Sequence, residues 1–311
     1  MKLTIVIPTR GDSNVPNMIK CLENQTFKDF QVFFILDKKI EKQDFQNLFY
    51  TFTNGNFEKL KNLNISFFTN LNSKFIPGKG ASYVRNFGIN KAKTEFINLM
   101  DDDEFFHPEY LQQSLDLREK LKNQIQKDFV LTPTLMYRQT GQIQNQGFKK
   151  FNFLISRPIM QNLGNKERDY IQMYSGNSLL APGYIFKQTQ FDEKIDFVYE
   201  DLEFSYRIHK SGFPIIVSNQ LKIYHMEREK TILEQARIGN PIQAYKKSKH
   251  RIIFVRKNGN FRDKIKFYLF GFWAQPLRLI FKILIYAKGI QKFHIISKLL
   301  KGTIDGISGK L

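Results

Sequence analysis

Four adjacent carboxylates, Asp101-Asp102-Asp103-Glu104, follow an apolar run from Glu95 to Met100. Like charges this close repel, so a fold tolerates them best where a cation offsets them. Hard divalent cations take oxygen ligands, and Mg²⁺ is commonly held by one or two carboxylates together with substrate phosphates. The run by itself suits a solvated acidic loop or helix cap equally well. A second acidic block, Tyr199-Glu200-Asp201-Leu202-Glu203, comes after Phe191-Asp192-Glu193 and opens a helical pattern. The helix dipole favours acids in a first turn, which accounts for one or two of them. A carboxylate beside a pocket could instead act as a general base. His225 ends the run Leu221 to Tyr224; such a histidine is ordinarily just half-buried and becomes a ligand only beside a metal. Arg85 and Asn86 lie within Gly80 to Gly88. Arginine can clamp a diphosphate, although a surface helix arginine is the commoner case.

Several chemistries are excluded. The chain has no Gly-x-x-x-x-Gly-Lys-Ser/Thr loop and no Gly-x-Gly-x-x-Gly after its first strand, which argues against P-loop and Rossmann dinucleotide enzymes. It has no Gly-x-Ser-x-Gly elbow. A single cysteine, Cys21, rules out an internal disulfide framework and a thiolate zinc cluster.

The elements that position these residues read as alternating strands and helices. Leu3 to Ile7 is a β-branched run of the kind buried on both faces. A weakly amphipathic helix, about Pro16 to Asn24, follows it, then apolar runs at Phe30 to Leu36 and Ile65 to Phe68. Gly80 to Lys93 reads as a helix and Glu95 to Met100 as the fourth strand. Such alternation predicts a mostly parallel α/β sheet, in which ligands bind at the carboxyl ends of the strands. Thr9, Arg10, Asp37 and Asp101 to Asp103 all fall there. Further on, Pro108 to Lys122 reads as a helix, Phe129 to Tyr137 as a strand and 138–170 as polar loops with short strands. Glu200 to Lys210 is a helix stopped by Gly212, and Pro214 to Ser218 and Leu221 to Tyr224 are two strands.

Of 311 residues, 48 are Lys or Arg and 29 are Asp or Glu, a net charge of +19. Residues 231–311 hold 17 of the bases and 3 of the acids. A segment that basic implies an anionic partner, either nucleic acid or a membrane surface. Phe267 to Ala287 is rich in Phe, Leu, Ile and Tyr and holds Trp273, with Gly271, Gln275, Arg278 and Lys282 on one helical face. No run of 18 uninterrupted apolar residues exists, so no simple spanning helix is expected. Arg278, Lys282 and Pro276 further oppose one. An interfacial amphipathic segment fits better; a helical subdomain packed on the core is the plain alternative.

In this order, five blocks resemble the family-two glycosyltransferases of GT-A fold over residues 1–230. Ile5-Val6-Ile7-Pro8-Thr9-Arg10 resembles the opening strand and its Pro-Thr turn, and Asp37 sits where the family recognises the base. Ala81 to Gly88 resembles the Ala-Arg-Asn-x-Gly helix, and Leu99 to Glu104 the Asp-x-Asp motif. Phe191-Asp192-Glu193 with Tyr199 to Arg207 resembles the acceptor-side motif. The resemblance implies an α/β GT-A catalytic domain over 1–230, with a basic amphipathic helical membrane-associating extension over 231–311. It implies that Thr9, Arg10, Asp37, Arg85, Asp101, Asp102, Gly176 and Asn177 bind a nucleotide sugar. Asp103 and His225 would hold Mg²⁺ or Mn²⁺. Asp201 would deprotonate the acceptor, supported by Glu200, with inversion at the anomeric carbon.

Two departures matter. Glu234-Gln235-Ala236-Arg237-Ile238 lacks the tryptophan of the processive Gln-x-x-Arg-Trp motif, which implies addition of one or a few sugars. Asp37-Lys38-Lys39-Ile40 stands where the family often has Asp-Asp-Gly-Ser. The expected enzyme is a metal-dependent glycosyltransferase at the cytoplasmic face of a membrane. It would take a nucleotide-sugar donor and a lipid-linked or cell-surface glycan acceptor, and contact anionic lipid through residues 262–311. No nucleic acid partner is expected. A sugar nucleotidyltransferase and a non-catalytic nucleic-acid-binding protein are the rival readings.

Overall fold

The computed structural model describes residues 1–11, 14–41, 47, 50, 62–176, 178–225 and 231–309. The first half runs β1 (Leu3–Thr9), α1 (Val15–Glu23), β2 (Phe30–Leu36), β3 (Ile65–Phe68), α2 (Ala81–Lys91), β4 (Phe96–Leu99), β5 (Glu104–Phe105), α3 (Tyr110–Ile125) and β6 (Val130–Tyr137). Short strands follow: β7 (Ile143–Asn145), β8 (Phe148–Asn152), β9 (Arg157–Met160), β10 (Arg168–Ile171) and β11 (Leu179–Pro182). The remainder is α4 (Gly183–Thr189), α5 (Glu200–Lys210), β12 (Ile215–His225), α6 (Ile232–Gln235), α7 (Pro241–Asn258), α8 (Phe261–Lys266), a π-helical turn (Phe267–Gly271), α9 (Phe272–Tyr286) and α10 (Gln291–Ser308).

The main sheet has the order β10-β12-β6-β11-β4-β1-β2-β3. β3, β2, β1 and β4 are mutually parallel, and β6 and β12 form a second parallel pair. β11 joins the two halves by running antiparallel to both β4 and β6. Alternation along β1 divides the core. Leu3, Ile5 and Ile7 pack with α1 and α3, while Val6 packs with residues of α2, α4 and α5. Burial on both faces explains the unbroken apolar reading of β1 and β2.

The two strands expected over 214–224 are one, β12, with an irregularity in its pairing to β6 between Ser218 and Lys222. Its far end pairs with β5, setting His225 opposite Glu104 and Tyr224 opposite Phe105. That pairing delivers the histidine to the acidic run.

The C-terminal helices share a core with the rest of the chain. Ile252, Phe254, Val255, Phe267 and Phe272 pack with Phe151, Phe153, Val198, Tyr199 and Leu202. α10 lies along α7 at close range: a Cβ on Gly302 would collide with the Tyr245 carbonyl, and one on Gly306 would press on Ile252 and the Lys249 carbonyl.

Phe261–Tyr286 is a 26-residue helix long and apolar enough, by length and composition, to cross a membrane. Counting uninterrupted apolar residues misses it because Gln275, Arg278 and Lys282 break the run. The expected polar stripe divides. Gly271 and Gln275 face the core with Phe272, Leu279 and Ile283, while Arg278 is exposed and Lys282 half-buried. The outward face is apolar: Trp273, Leu277 and Phe281 are each more than 60% exposed.

Candidate active site

Thr9, Asp37 and Asp101 to Asp103 converge at the carboxyl ends of β1, β2 and β4, as doubly wound sheets require. The Thr9 hydroxyl donates to Asp102 Oδ2 at 2.5 Å and accepts from the Gly11 N–H at 3.0 Å. The Asp37 N–H donates to the Thr9 carbonyl at 2.8 Å, and its carboxylate accepts from the Gly78 N–H at 2.7 Å. Burial raises the Asp37 pKa above the ordinary aspartate value, opposed by the Gly78 N–H and the exposed Arg10.

Glu104 braces this corner from inside. It is 4% exposed, accepts from the Asp101 N–H at 3.2 Å and from the Ser178 hydroxyl at 2.8 Å. Burial and then the Asp101 charge push its carboxyl well above the glutamate range. Ser178 adopts φ 64° to reach it. Asp103 Oδ2 lies 3.0 Å from His225 Nε2, a consequence of the β5–β12 pairing.

Arg85 joins the two acidic blocks. Its guanidinium lies 3.3 Å from Asp101, 3.4 Å from Asp201 and 3.6 Å from Glu200, with the side chain 5% exposed. Burial alone would lower its pKa, but Asp201, Asp101 and Glu200 outweigh it and raise it. The guanidinium expected beside a diphosphate is therefore engaged by three carboxylates of the protein. Burial and then Asp201 raise the Glu200 carboxyl above its ordinary value, with Arg85 opposing. Asp201 is the more exposed of the two acids, and its Oδ2 accepts from the Gly176 N–H at 3.3 Å. Asn177 lies outside the described residues.

The Arg-Asn pair on α2 has a divided task. Asn86 Nδ2 donates to the Phe191 carbonyl at 2.9 Å and to Glu193 at 3.0 Å, while its Oδ1 accepts from the Phe191 N–H at 2.7 Å. It thereby pins the Phe-Asp-Glu block. Two residues on, a Cβ on Gly88 would collide with Val6 and Ile35, so only glycine lets α2 lie this close to the sheet.

The turn before α5 is strained. Val198 and Tyr199 have φ of 61° and 84°, unusual for a β-branched residue and its neighbour. Two other elements hold it. From α2, the Ala81 N–H donates to the Asp196 carbonyl at 3.0 Å and the Ser82 hydroxyl to the Ile195 carbonyl at 2.5 Å. From α7, His250 Nδ1 donates to the Phe197 and Val198 carbonyls at 2.8 and 3.0 Å, and Lys246 pairs with Asp196 at 2.5 Å. Neither Glu104 nor His250 stood out in the sequence. Glu104 merely extended an acidic run, and His250 sits in a basic stretch over forty residues from the acids it serves.

Asp103 and His225 pair with each other at 3.0 Å; a divalent cation held by them would take its remaining ligands from substrate. Among the described residues no group of three or more His, Cys, Asp or Glu converges as a metal site. Mg²⁺ bound with substrate phosphates commonly takes one or two protein carboxylates, and Asp103 would be one.

With this geometry in view, the comparisons with known proteins agree. A model of glycosyl transferase family 2 matches residues 4–177. The chain is 27% identical over 233 residues to the amylovoran biosynthesis glycosyltransferase AmsB of Erwinia amylovora, covering 73% of this chain and 70% of that one. S. aureus TarS 1-349 superposes at a TM-score of 0.52 with 17% identity, covering 100% of this chain and 92% of the other. Its complex with UDP-GlcNAc superposes at 0.53 with 17% identity, covering 99% and 92%. At that identity the likeness concerns the fold, and it is the fold expected: a mostly parallel sheet flanked by helices, with C-terminal helices added. The match over more than half its length, on the strands and acidic corner just described, makes the chain a member of glycosyl transferase family 2 with a GT-A-type fold.

Proposed function

We propose that this glycosyltransferase moves one sugar from a nucleoside-diphosphate sugar to a lipid-linked or cell-surface glycan, with inversion, at the inner face of the cell membrane. The observation that carries the reading is Arg85, which holds the donor-side Asp101 and the acceptor-side Asp201 on one guanidinium. Both reactants would meet where these acids meet. The name of the E. amylovora relative supports a glycan product, and the UDP-GlcNAc complex of TarS supports a nucleotide-sugar donor for the fold.

Thr9, Arg10 and Asp37 would line the nucleotide pocket, with Asp101 toward the ribose, Asp102 also on the donor, and Gly176 and Asn177 beside the donor sugar. Asp201 would take the proton of the acceptor hydroxyl as its oxygen bonds to the anomeric carbon. The bond from that carbon to the diphosphate then breaks, and the nucleoside diphosphate leaves with the electron pair. One base and no enzyme nucleophile make a single displacement, hence inversion. Mg²⁺ or Mn²⁺ held by Asp103 and His225 would offset the charge of the leaving diphosphate.

The outward apolar face of Phe261–Tyr286, on a segment rich in Lys and Arg, supports a protein lying on an anionic membrane surface. The test of the donor reading is calorimetric titration with a panel of nucleoside diphosphates, first with Mn²⁺ and then with EDTA. One nucleotide should bind with metal and lose binding in Asp103→Ala. No binding of any nucleotide under either condition would sink the reading.

A further inference from the structure

We propose that Arg157, Arg237, Lys247 and Arg278 form an anion subsite that takes the phosphate or diphosphate of the acceptor. The proposal places that subsite beside the acceptor acids, and in this it rests on the glycosyltransferase reading.

The four cations come from separate elements: β9, the turn after α6, α7 and α9. Packing brings these elements together: α9, which carries Arg278, lies against α6, just before Arg237, and Arg251, one turn beyond Lys247 on α7, bonds Ser156 beside Arg157 and the Gly271 and Phe272 carbonyls that lead into α9. Among the described residues none of the four forms an ion pair with a carboxylate. Behind them Arg251 is wholly buried and bonds only neutral groups: the Ser156 hydroxyl at 3.3 Å, the Gly271 carbonyl at 2.8 Å and the Phe272 carbonyl at 3.4 Å. Its Nε has no partner. The Tyr199 hydroxyl and Gln275 are buried beside each other. Arg251 is a buried charge with no carboxylate beside it, which is costly in a fold, and an anion bound among the neighbouring cations would offset it.

The cluster adjoins the acceptor side. Lys247 Nζ lies 4.9 Å from the ring centre of Tyr199, the residue preceding Glu200 and Asp201, and Arg237 acts on Glu200 itself. Burial first, then Arg237, Arg278 and Arg251, pull the Lys247 pKa down to about 7; an arriving anion would restore its charge. Arg278 shares a helix with the exposed Trp273, Leu277 and Phe281. A lipid diphosphate would lay its chain along that apolar face, its phosphates on the cluster and its sugar toward Asp201.

The test titrates the full chain with farnesyl diphosphate in neutral phosphatidylcholine vesicles, with the nucleoside diphosphate that binds best and Mn²⁺ already saturating. Farnesyl diphosphate should bind and farnesol should not. Arg157→Gln/Arg278→Gln replaces two exposed side chains and should keep the melting temperature; it should weaken farnesyl diphosphate about tenfold or more, the loss of one charged hydrogen bond, and leave nucleotide affinity unchanged. Lys247→Met should behave likewise. The proposal is overturned if farnesol binds as well, if the nucleotide displaces farnesyl diphosphate, or if the double variant loses nucleotide instead, which would assign the cluster to the donor. Displacement by phosphatidylglycerol vesicles would assign it to bulk lipid charge and overturn it too. Retained farnesyl diphosphate binding with no nucleotide bound would sink the donor reading while supporting the subsite.

Discussion

At the scale of residues, three carboxylates on one buried guanidinium set the terms. Replacing Arg85 by Met leaves Asp101, Glu200 and Asp201 facing each other without a counter-charge. Breaking a buried ion pair from one side costs about 3–5 kcal/mol, and the lower end applies because Asp101 is a third exposed. Chemical denaturation measures this. Arg85→Lys should recover little, since an ammonium cannot address three carboxylates at once. Asp201→Asn should leave nucleotide affinity near wild type and lower turnover about 100- to 10,000-fold, the range for losing a general base. Lost nucleotide affinity with retained turnover would remove Asp201 from that role. Glu200 gives a pH signature. Its carboxyl is raised in the folded state by burial and by Asp201. Its contribution to stability is therefore full below the ordinary glutamate value and declines as pH rises through the raised one. Glu200→Gln removes that decline, so its melting temperature relative to wild type should climb as pH rises above 4.5. A difference flat with pH would count against a buried, proton-favouring Glu200.

At the scale of elements, the acids are placed jointly by the motif-bearing α2 and by α7, which carries no family motif. The turn ending in Val198 and Tyr199 is held from α2 and from α7. His250→Ala should slow turnover about tenfold to a hundredfold, because displacing a catalytic group by about 1 Å costs that much. Nucleotide affinity should stay unchanged, since His250 bonds the turn before α5, on the proposed acceptor side; calorimetry and kinetics together separate the two. The same contrast explains what was readable beforehand. β1, β2 and β4 declare themselves because strands buried on both faces are largely apolar. The acidic corner follows because ligands sit at the carboxyl ends of such strands. Asn86 and Arg85 were legible as a pair, but their division of labour depends on Phe191 and on acids over a hundred residues away. β12 was divided in two because Asn219 and Gln220 break its alternation where the sheet pairing shifts register. The polar stripe reads as one helical face in the sequence, whereas in the structure Gly271 and Gln275 turn inward to neighbouring backbone and Tyr199 while Arg278 is exposed.

At the scale of the whole molecule, catalytic and C-terminal parts cannot be separated to test membrane association. Removing residues 262–311 would take Phe267 and Phe272 out of a shared core and strip α10 from α7. Loss of vesicle binding in such a truncation would report unfolding as readily as a missing anchor. Substituting the outward face avoids this. Trp273, Leu277 and Phe281 are each more than 60% exposed, so replacing them with Ser leaves the core intact. Burying one such side chain contributes about 1.5–3 kcal/mol, and three of them, each partly inserted, amount to at least a hundredfold in partitioning. The triple variant should stay in the supernatant when sedimented with phosphatidylglycerol vesicles that carry down wild type, and should melt at the same temperature. Raising the salt should weaken wild type as well, because the Lys and Arg of this region act through screened attraction. Insertion and attraction can then be told apart. A salt effect with no effect of the triple substitution would mean that basic residues alone hold the protein to lipid. Unchanged sedimentation under both would mean that the apolar face of α9 does not serve a membrane.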